Sequence, residues 1–414
     1  MEGLLQGQRR VLRRPRLARW RRQARCDPQG PPGHLGAPAA GRGALTTTAS
    51  ARTALPDFPW DRLAPYGERA RAHPGGIVDL SIGTPVDPTP AVVRDALVAA
   101  SDAPGYPQTY GTPALREAVA GWFARRRGVP ALDPDGVLPT IGSKELVAWL
   151  PTLLGLGPGD LVVHPEVAYP SYDVGARLAG AAPLPADGTA QVGPASSRVG
   201  LVWVNSPSNP TGRVLGVEHL AKVVAWARSV GAVVASDECY AELGWDVDDI
   251  PSILDPRVCG GSHDGLLAVY STSKQSNLAG YRAAFAAGDP VLVKRLLEVR
   301  KHAGMMMPWP VQEALRVAVG DDAHVAEQKE RYRARREVAR AALLGAGFTI
   351  DHSEAGLYLW ATRGEPCWDT VDRLADRGVL VAPGAFYGAA GAQHVRVALT
   401  ATDERIAALA ERLA

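Results

Sequence analysis

Two hydroxyls, a lysine and an arginine stand close together at Ser271, Ser273, Lys274 and Arg282. Hydroxyls combined with a guanidinium make a phosphate site. A lysine held beside such a site is placed to form a Schiff base with the aldehyde of a phosphorylated cofactor. These residue types predict a pyridoxal 5'-phosphate (PLP) enzyme with Lys274 as the covalent anchor. A rival lysine, Lys144, stands in Gly142-Ser143-Lys144-Glu145. Glycine and serine opening a helix offer free N–H groups and a positive dipole end to an anion. A first-turn lysine followed by glutamate is commonplace on a solvated helix, so Lys144 ranks below Lys274.

Four other positions carry groups that such a cofactor needs. Asn209 lies in Asn205-Ser206-Pro207-Ser208-Asn209-Pro210-Thr211-Gly212, where prolines and glycine fix a turn that presents one amide to a phenolic oxygen. Taken alone, N-P-x-G is only a turn. Asp237 and Tyr240 are spaced to meet a ring nitrogen and a phenolic oxygen. A carboxylate against a pyridine nitrogen keeps it protonated, which makes the ring an electron sink; the plain alternative is a surface acid after a strand. Tyr169 offers a ring for stacking, although a tyrosine in a turn more often packs. Arg396 interrupts the apolar run Val395-Arg396-Val397-Ala398-Leu399. A guanidinium there is costly unless paired, either with a substrate carboxylate or in an internal salt bridge to Glu354.

The elements that must position these groups are legible as apolar runs. Residues 161–163, 200–204, 232–235, 266–270 and 283–287 are short and uninterrupted, with helical periodicity between them over 217–230. Strands of that kind alternating with helices predict an α/β fold: a mostly parallel central sheet flanked by helices. Polar groups that do chemistry gather at the carboxyl ends of such strands, where Asn209, Asp237 and Ser271 fall. After Pro310 a charged helix with a break near Gly320 gives way to short strands and a final helix. That region predicts a smaller α+β domain. The expected division is 1–53 a disordered basic extension, 54–85 an N-terminal arm and part of the small domain, 86–310 a large PLP-binding domain, and 311–414 a C-terminal small domain.

Composition bounds the function classes. The chain has 414 residues, 46% of them hydrophobic and 21% charged, which suits two domains of a globular protein. No apolar run approaches the roughly 20 residues of a membrane helix. Four scattered cysteines without a C-x-x-C pair argue against a disulfide framework or structural zinc and suit a reducing, cytoplasmic setting. Residues 1–50 hold ten arginines against Glu2 and Asp27, or +8, so the remainder of this +2 chain is at −6. An acidic globular part argues against nucleic acid as its partner. The basic segment reads as a transit-type targeting peptide, a basic arm, or sequence upstream of the true start, the last being preferred.

Taken in order, these parts resemble the class I/II aminotransferases of PLP fold type I, from about residue 55 to the C-terminus. The resemblance implies that Gly142, Ser143 and Lys144 form the glycine-led phosphate loop and that Tyr169 stacks on the ring. It assigns Asn209 and Tyr240 to the ring oxygen, Asp237 to the ring nitrogen, and Ser271, Ser273 and Arg282 to the phosphate. Lys274 is the Schiff-base lysine. Arg396 takes the substrate α-carboxylate, with the Gly83 backbone and Asn209 beside it. Tyr106, with Tyr110 close by, matches a tyrosine that reaches the phosphate of a neighbouring subunit, which implies a homodimer with shared sites.

A finer resemblance is to actinobacterial N-succinyldiaminopimelate aminotransferases of lysine and cell-wall biosynthesis. It rests on Leu55-Pro56-Asp57-Phe58-Pro59-Trp60, on Asp79-Leu80-Ser81-Ile82-Gly83-Thr84-Pro85, and on Ser353-Glu354-Ala355-Gly356-Leu357-Tyr358-Leu359-Trp360. It implies glutamate as amino donor and a succinylated keto acid, N-succinyl-2-amino-6-oxopimelate, as acceptor. The alternatives are an aspartate, aromatic or kynurenine specificity, a β-elimination or decarboxylation on the same cofactor, or a non-catalytic regulator on this fold. For the distal end of the acceptor, Arg300, Lys301 and Ser81 are the candidate partners.

Overall fold

The computed structural model describes residues 55–414; the basic extension and its three readings lie outside the described residues. Twelve strands among these residues form two sheets. They are β1 (Val78–Leu80), β2 (Val137–Ile141), β3 (Leu161–His164), β4 (Ala182–Pro185), β5 (Val199–Asn205) and β6 (Val233–Asp237), then β7 (Leu266–Ser271), β8 (Ala283–Gly288), β9 (Thr349–Asp351), β10 (Tyr358–Thr362), β11 (Val379–Pro383) and β12 (His394–Ala398).

The larger sheet has the order β2-β8-β7-β6-β5-β3-β4. Only β8 runs against its neighbours; β3, β4, β5, β6 and β7 pair in parallel. The apolar runs follow from burial on both faces. Along β5, Val202 and Val204 enter the core on one side, while Leu201 and Trp203 enter the core on the other. Each fully buried aliphatic side chain contributes roughly 1.5–3 kcal/mol. One core is closed by Val217–Val230 and Trp309–Gly320, the other by Ser143–Leu153 and Pro290–Ala303.

The smaller sheet has the order β1-β11-β12-β10-β9. β1 is recruited from the N-terminal region and pairs in parallel with β11. Its remaining pairs are antiparallel. The charged helical stretch breaks where the sequence suggests. Trp309–Gly320 ends, and Asp321 caps Asp322–Gly345 by accepting the Ala323 N–H.

Two strands were not legible as apolar runs. β2 contains Pro139, and β4 contains Pro183 and Pro185. Both lie at the edges of the sheet, where a missing N–H is tolerated.

Candidate active site

With β8 alone reversed, the carboxyl ends of β2, β3, β5, β6 and β7 share one edge with the start of β8. The strand ends at that edge carry Asp237 and Ser271, and the adjoining loops carry Gly142, Tyr169, Asn209 and Arg282. Register sets their heights: Asn205 pairs with Asp237, Ser271 with Ala284, and Ile141 with Ala283. The smaller sheet brings Arg396 on β12 and Tyr358 on β10. The result is a cavity of about 670 Å³.

Its phosphate-sized end is built from the turn after β2 and the turn after β7. Gly142 holds φ 75° and caps Ser143–Leu153 without a side-chain bond, so the first N–H groups of that helix stay available. A Cβ on Gly142 would lie 2.1 Å from Arg282 Nη2. The missing side chain is therefore what lets the guanidinium close over the helix end. Arg282 itself takes a left-handed φ of 59° and donates to the Ala279 carbonyl at 2.8 Å, while its own carbonyl accepts the Gly142 N–H at 2.7 Å. Ser271 Oγ donates to Ser273 Oγ at 2.8 Å.

Lys274 Nζ, on the same wall, donates to the Gly83 carbonyl. Burial lowers the Lys274 pKa, helped by Arg396 and Arg282 and opposed by Tyr358 and Cys239.

Asp237 sits at the end of β6, 7% exposed. Tyr172 Oη donates to its Oδ2 at 2.9 Å and the Cys239 N–H to its Oδ1 at 3.2 Å. Burial raises its pKa and these two neutral donors only partly restore it. The next residue, Glu238, anchors the strand end by accepting from Arg127, Ser252 and the Ile253 N–H.

Arg396, 3% exposed, is the reverse case. Its Nη1 donates to Asn209 Oδ1 at 3.0 Å and its Nη2 to the Ser81 carbonyl at 2.7 Å. Its Nε has no partner among the described residues. The guanidinium lies 4.0 Å from the centre of the Tyr358 ring. Its partners are thus neutral oxygens, not Glu354; the internal salt bridge considered from sequence is absent among the described residues.

The comparisons with known proteins agree with this geometry. Residues 76–413 match the family described as aminotransferase class I and II. This chain belongs to that family. Among its relatives, the aminotransferase shares 63% identity with 4-dedimethylamino-4-oxo-anhydrotetracycline transaminase OxyQ of Streptomyces rimosus, over 87% of this chain and 99% of that protein. It shares 59% with the probable aminotransferase Rv1178 of Mycobacterium tuberculosis, over 100% of both chains. Among solved structures it resembles a probable N-succinyldiaminopimelate aminotransferase from Thermus thermophilus, with 31% identity, TM-score 0.77 and coverage of 86% and 99% of the two chains. The fold is that of the fold type I aminotransferases, and the family is PLP-dependent.

The residues present fit that cofactor. A buried carboxylate with only neutral donors (Asp237) and a buried guanidinium with only neutral acceptors (Arg396) each lack a counter-ion that a charged ring nitrogen and a substrate carboxylate would supply. The Gly142–Arg282 cradle, open at a helix N-terminus, suits a phosphate. Gly83, Ser143, Lys144, Tyr169, Tyr240, Ser273 and Lys274 line the same cavity in this aminotransferase.

Tyr106 does not line it. That residue is 96% exposed, whereas Tyr110 is engaged by Asp135 at 2.8 Å and covered by Arg116. Of the candidates for the distal end, Arg300 is withdrawn: it is fully buried and ion-paired with Glu145 at 2.7 Å. Lys301 pairs with Glu298, and the Ser81 hydroxyl donates to Asp79.

Two tyrosines were missed. Tyr172 holds Asp237, and Tyr358 places its hydroxyl 3.2 Å from that of Tyr240. A Cβ on Gly83 would meet Tyr358 Oη at 2.2 Å. Tyr358 lies in Ser353-Glu354-Ala355-Gly356-Leu357-Tyr358-Leu359-Trp360 and Tyr172 three residues after Tyr169, but their partners are distant in sequence.

Proposed function

We propose that this aminotransferase moves an amino group from glutamate to N-succinyl-2-amino-6-oxopimelate, giving N-succinyl-LL-diaminopimelate in lysine biosynthesis. When bound, PLP supplies an aldehyde for the amino group and an electron-withdrawing ring for the charge that develops at the substrate α-carbon. Ser271, Ser273, Arg282 and the N–H groups of Ser143 and Lys144 would hold its phosphate, with Gly142 leaving the room for it beside Arg282. Asp237 would hold a proton at the ring nitrogen, Asn209 and Tyr240 the ring oxygen, and Tyr169 the ring face. Lys274 would anchor the cofactor; with its Nζ free, that amine would take the proton from the donor's α-carbon and, in the second stage, give a proton to the acceptor's carbonyl carbon, which then bears the new amine. Arg396, with Asn209 and the Gly83 backbone, orients the α-carboxylate.

The observation that carries this reading is Arg396: a buried cation without a carboxylate partner, sharing a cavity with a lysine of lowered pKa. The succinylated acceptor is supported by likeness to the Thermus protein; the diaminopimelate skeleton alone is supported by likeness to LL-diaminopimelate aminotransferases, such as that of Desulforudis audaxviator at 34% identity over 87% of this chain. Lys144 at the cavity wall supplies a cation for a distal carboxylate.

A second acceptor class, a polycyclic ketone of the anhydrotetracycline type, is favoured by the 63% identity to OxyQ and by the apolar mouth of Phe58, Pro59 and Trp60. Amination rates with glutamate on succinylated and unsuccinylated keto acids and on such a ketone separate these readings. Equal rates with and without the succinyl group would overturn the first, and preference for the ketone would establish the second.

The working unit we propose is a cytoplasmic homodimer in which Tyr106 of each chain reaches the other's phosphate. Its exposure, with that of Phe58 and Ile82 at 54% and 50%, supports a covering partner. Light scattering should give twice the chain mass, and a monomeric active enzyme would remove the shared site.

A further inference from the structure

A second cavity of about 480 Å³ lies outside the catalytic one, a volume typical of small-molecule sites. It has three walls. The sheet contributes Val202 and Val204, the helix Val217–Val230 contributes Val223 and Trp226, and the smaller sheet contributes Trp360 and His394. The body of the cavity is apolar, and its charges sit on the edge.

Two of those charges are already paired. Asp351 bonds His394 Nε2 at 2.8 Å, and Lys222 pairs with Glu218 at 2.7 Å. Asp187 is exposed and accepts the Glu166 N–H at 3.0 Å, without a cation partner among the described residues. Burial, with Arg213 and Lys222 nearby and Asp187 opposing them, lowers the His219 pKa, which favours a neutral imidazole. Arg213 differs from Lys222: among the described residues its guanidinium has no ion-pair partner, and it lines the cavity.

The two cavities share a wall. Asn209 lines the catalytic one, while Asn205, Ser208 and Thr211 line the second. Asn205 Oδ1 accepts the Asn209 backbone N–H at 2.7 Å, so the residue whose side chain touches Arg396 has its backbone held by a residue of the second cavity. The Thr211 carbonyl accepts the Ser353 N–H at 2.9 Å. His352, on the cavity wall, and Ser353 hold left-handed φ values of 55° and 67°. Such backbone in non-glycine residues is strained and persists only where its surroundings hold it.

We propose that this second cavity is an effector site for a small amphipathic acid, with a carboxylate on Arg213 and an aromatic or branched hydrocarbon body among Val202, Val204, Val223 and Trp226. Occupancy acts on the segment from Asn205 to Thr211 and, through it, on the Asn209–Arg396 contact. Ligand-linked change of this kind requires only that the acid bind the two arrangements of that segment with different affinity.

The test uses the PLP-loaded enzyme and indole-3-propionate, an acid with neither amine nor ketone to react. Calorimetry should show one site per chain that is still filled at saturating 2-oxoglutarate, so that the two ligands bind together. Arg213→Glu, an exposed substitution, should weaken binding at least about tenfold, the loss of one charge-assisted hydrogen bond, with basal kcat unchanged. Val223→Trp should abolish binding by filling the cavity. Bound probe should shift kcat at saturating substrates at least about twofold. No binding, binding lost to 2-oxoglutarate, or a Kd indifferent to Arg213→Glu would each overturn the site. Binding without a change in kcat would overturn its effector role.

Discussion

At the scale of single residues, the Lys274 amine is set apart by burial and by two arginine neighbours, all of which lower its pKa. An unperturbed lysine titrates near about 10.4, and only the neutral amine attacks an aldehyde. The sign is fixed: a lowered pKa puts more neutral amine at any given pH below that value. Stopped-flow uptake of PLP by the cofactor-free protein should therefore rise with pH to an inflection below that of an ordinary lysine. An inflection at the ordinary value, or an aldimine absorbance band in Lys274→Ala, would count against Lys274 as the anchor.

Tyr358 is the second residue to test. Burial works to raise its pKa, but Arg396 and Lys274 outweigh it and hold the phenol below its usual value; Tyr240 is pushed up by burial and by Tyr358 itself. Tyr358→Phe keeps the ring under Arg396 and removes the 3.2 Å contact to Tyr240. One hydrogen bond contributes roughly 0.5–1.5 kcal/mol, so kcat/KM should fall roughly two- to tenfold with thermal stability nearly unchanged.

At the scale of elements, the catalytic edge depends on the start of Ser143–Leu153 being held against the sheet. Glu145 does this. It accepts from Arg300 Nη1 at 2.7 Å and from the Ile141 N–H at 3.3 Å, tying that helix to Pro290–Ala303 and to β2. Arg300 is fully buried, so removing its partner strands a charge. Breaking a buried pair costs roughly 3–5 kcal/mol. Glu145→Ala should lower the melting temperature by several degrees and weaken PLP retention, and adding Arg300→Met should recover part of the stability.

Sequence legibility also divides by element. β3, β5, β6, β7 and β8 are buried on both faces and read as apolar runs, and that is why the order of site residues along the chain was interpretable. β2 and β4 were hidden by edge prolines. The role of Arg300 was misjudged because its partner lies 155 residues away. Periodicity carries no record of such a pairing. Tyr172 was missed for the same reason, its acceptor being 65 residues on.

At the scale of the whole molecule, three distant segments meet on one guanidinium. Arg335, in Asp322–Gly345, donates to Asp87 at 2.6 and 2.7 Å and to Asp403 at 2.6 Å. Asp87 follows β1 and leads into the larger-sheet region, and Asp403 opens the final helix. Burial acts to raise the Asp87 pKa, but hydrogen bonds from Arg335 and Gln328 outweigh it, and the carboxyl is held below its ordinary value. A carboxylate with a lowered folded-state pKa contributes stability that is complete above its unfolded value, near about 3.9. That contribution is lost as pH falls through the folded value. Thermal melts should therefore show a step of destabilisation on the acid side of pH 4, with the neutral range flat with respect to this group. Asp87→Asn removes the charge at every pH. It should be less stable than wild type at pH 7 by roughly 1.5–3 kcal/mol, the range for a hydrogen bond to a charged group, and the gap should narrow as wild-type Asp87 protonates. A constant gap from pH 7 down to pH 3 would mean that Asp87 holds the segments together by packing, not by charge.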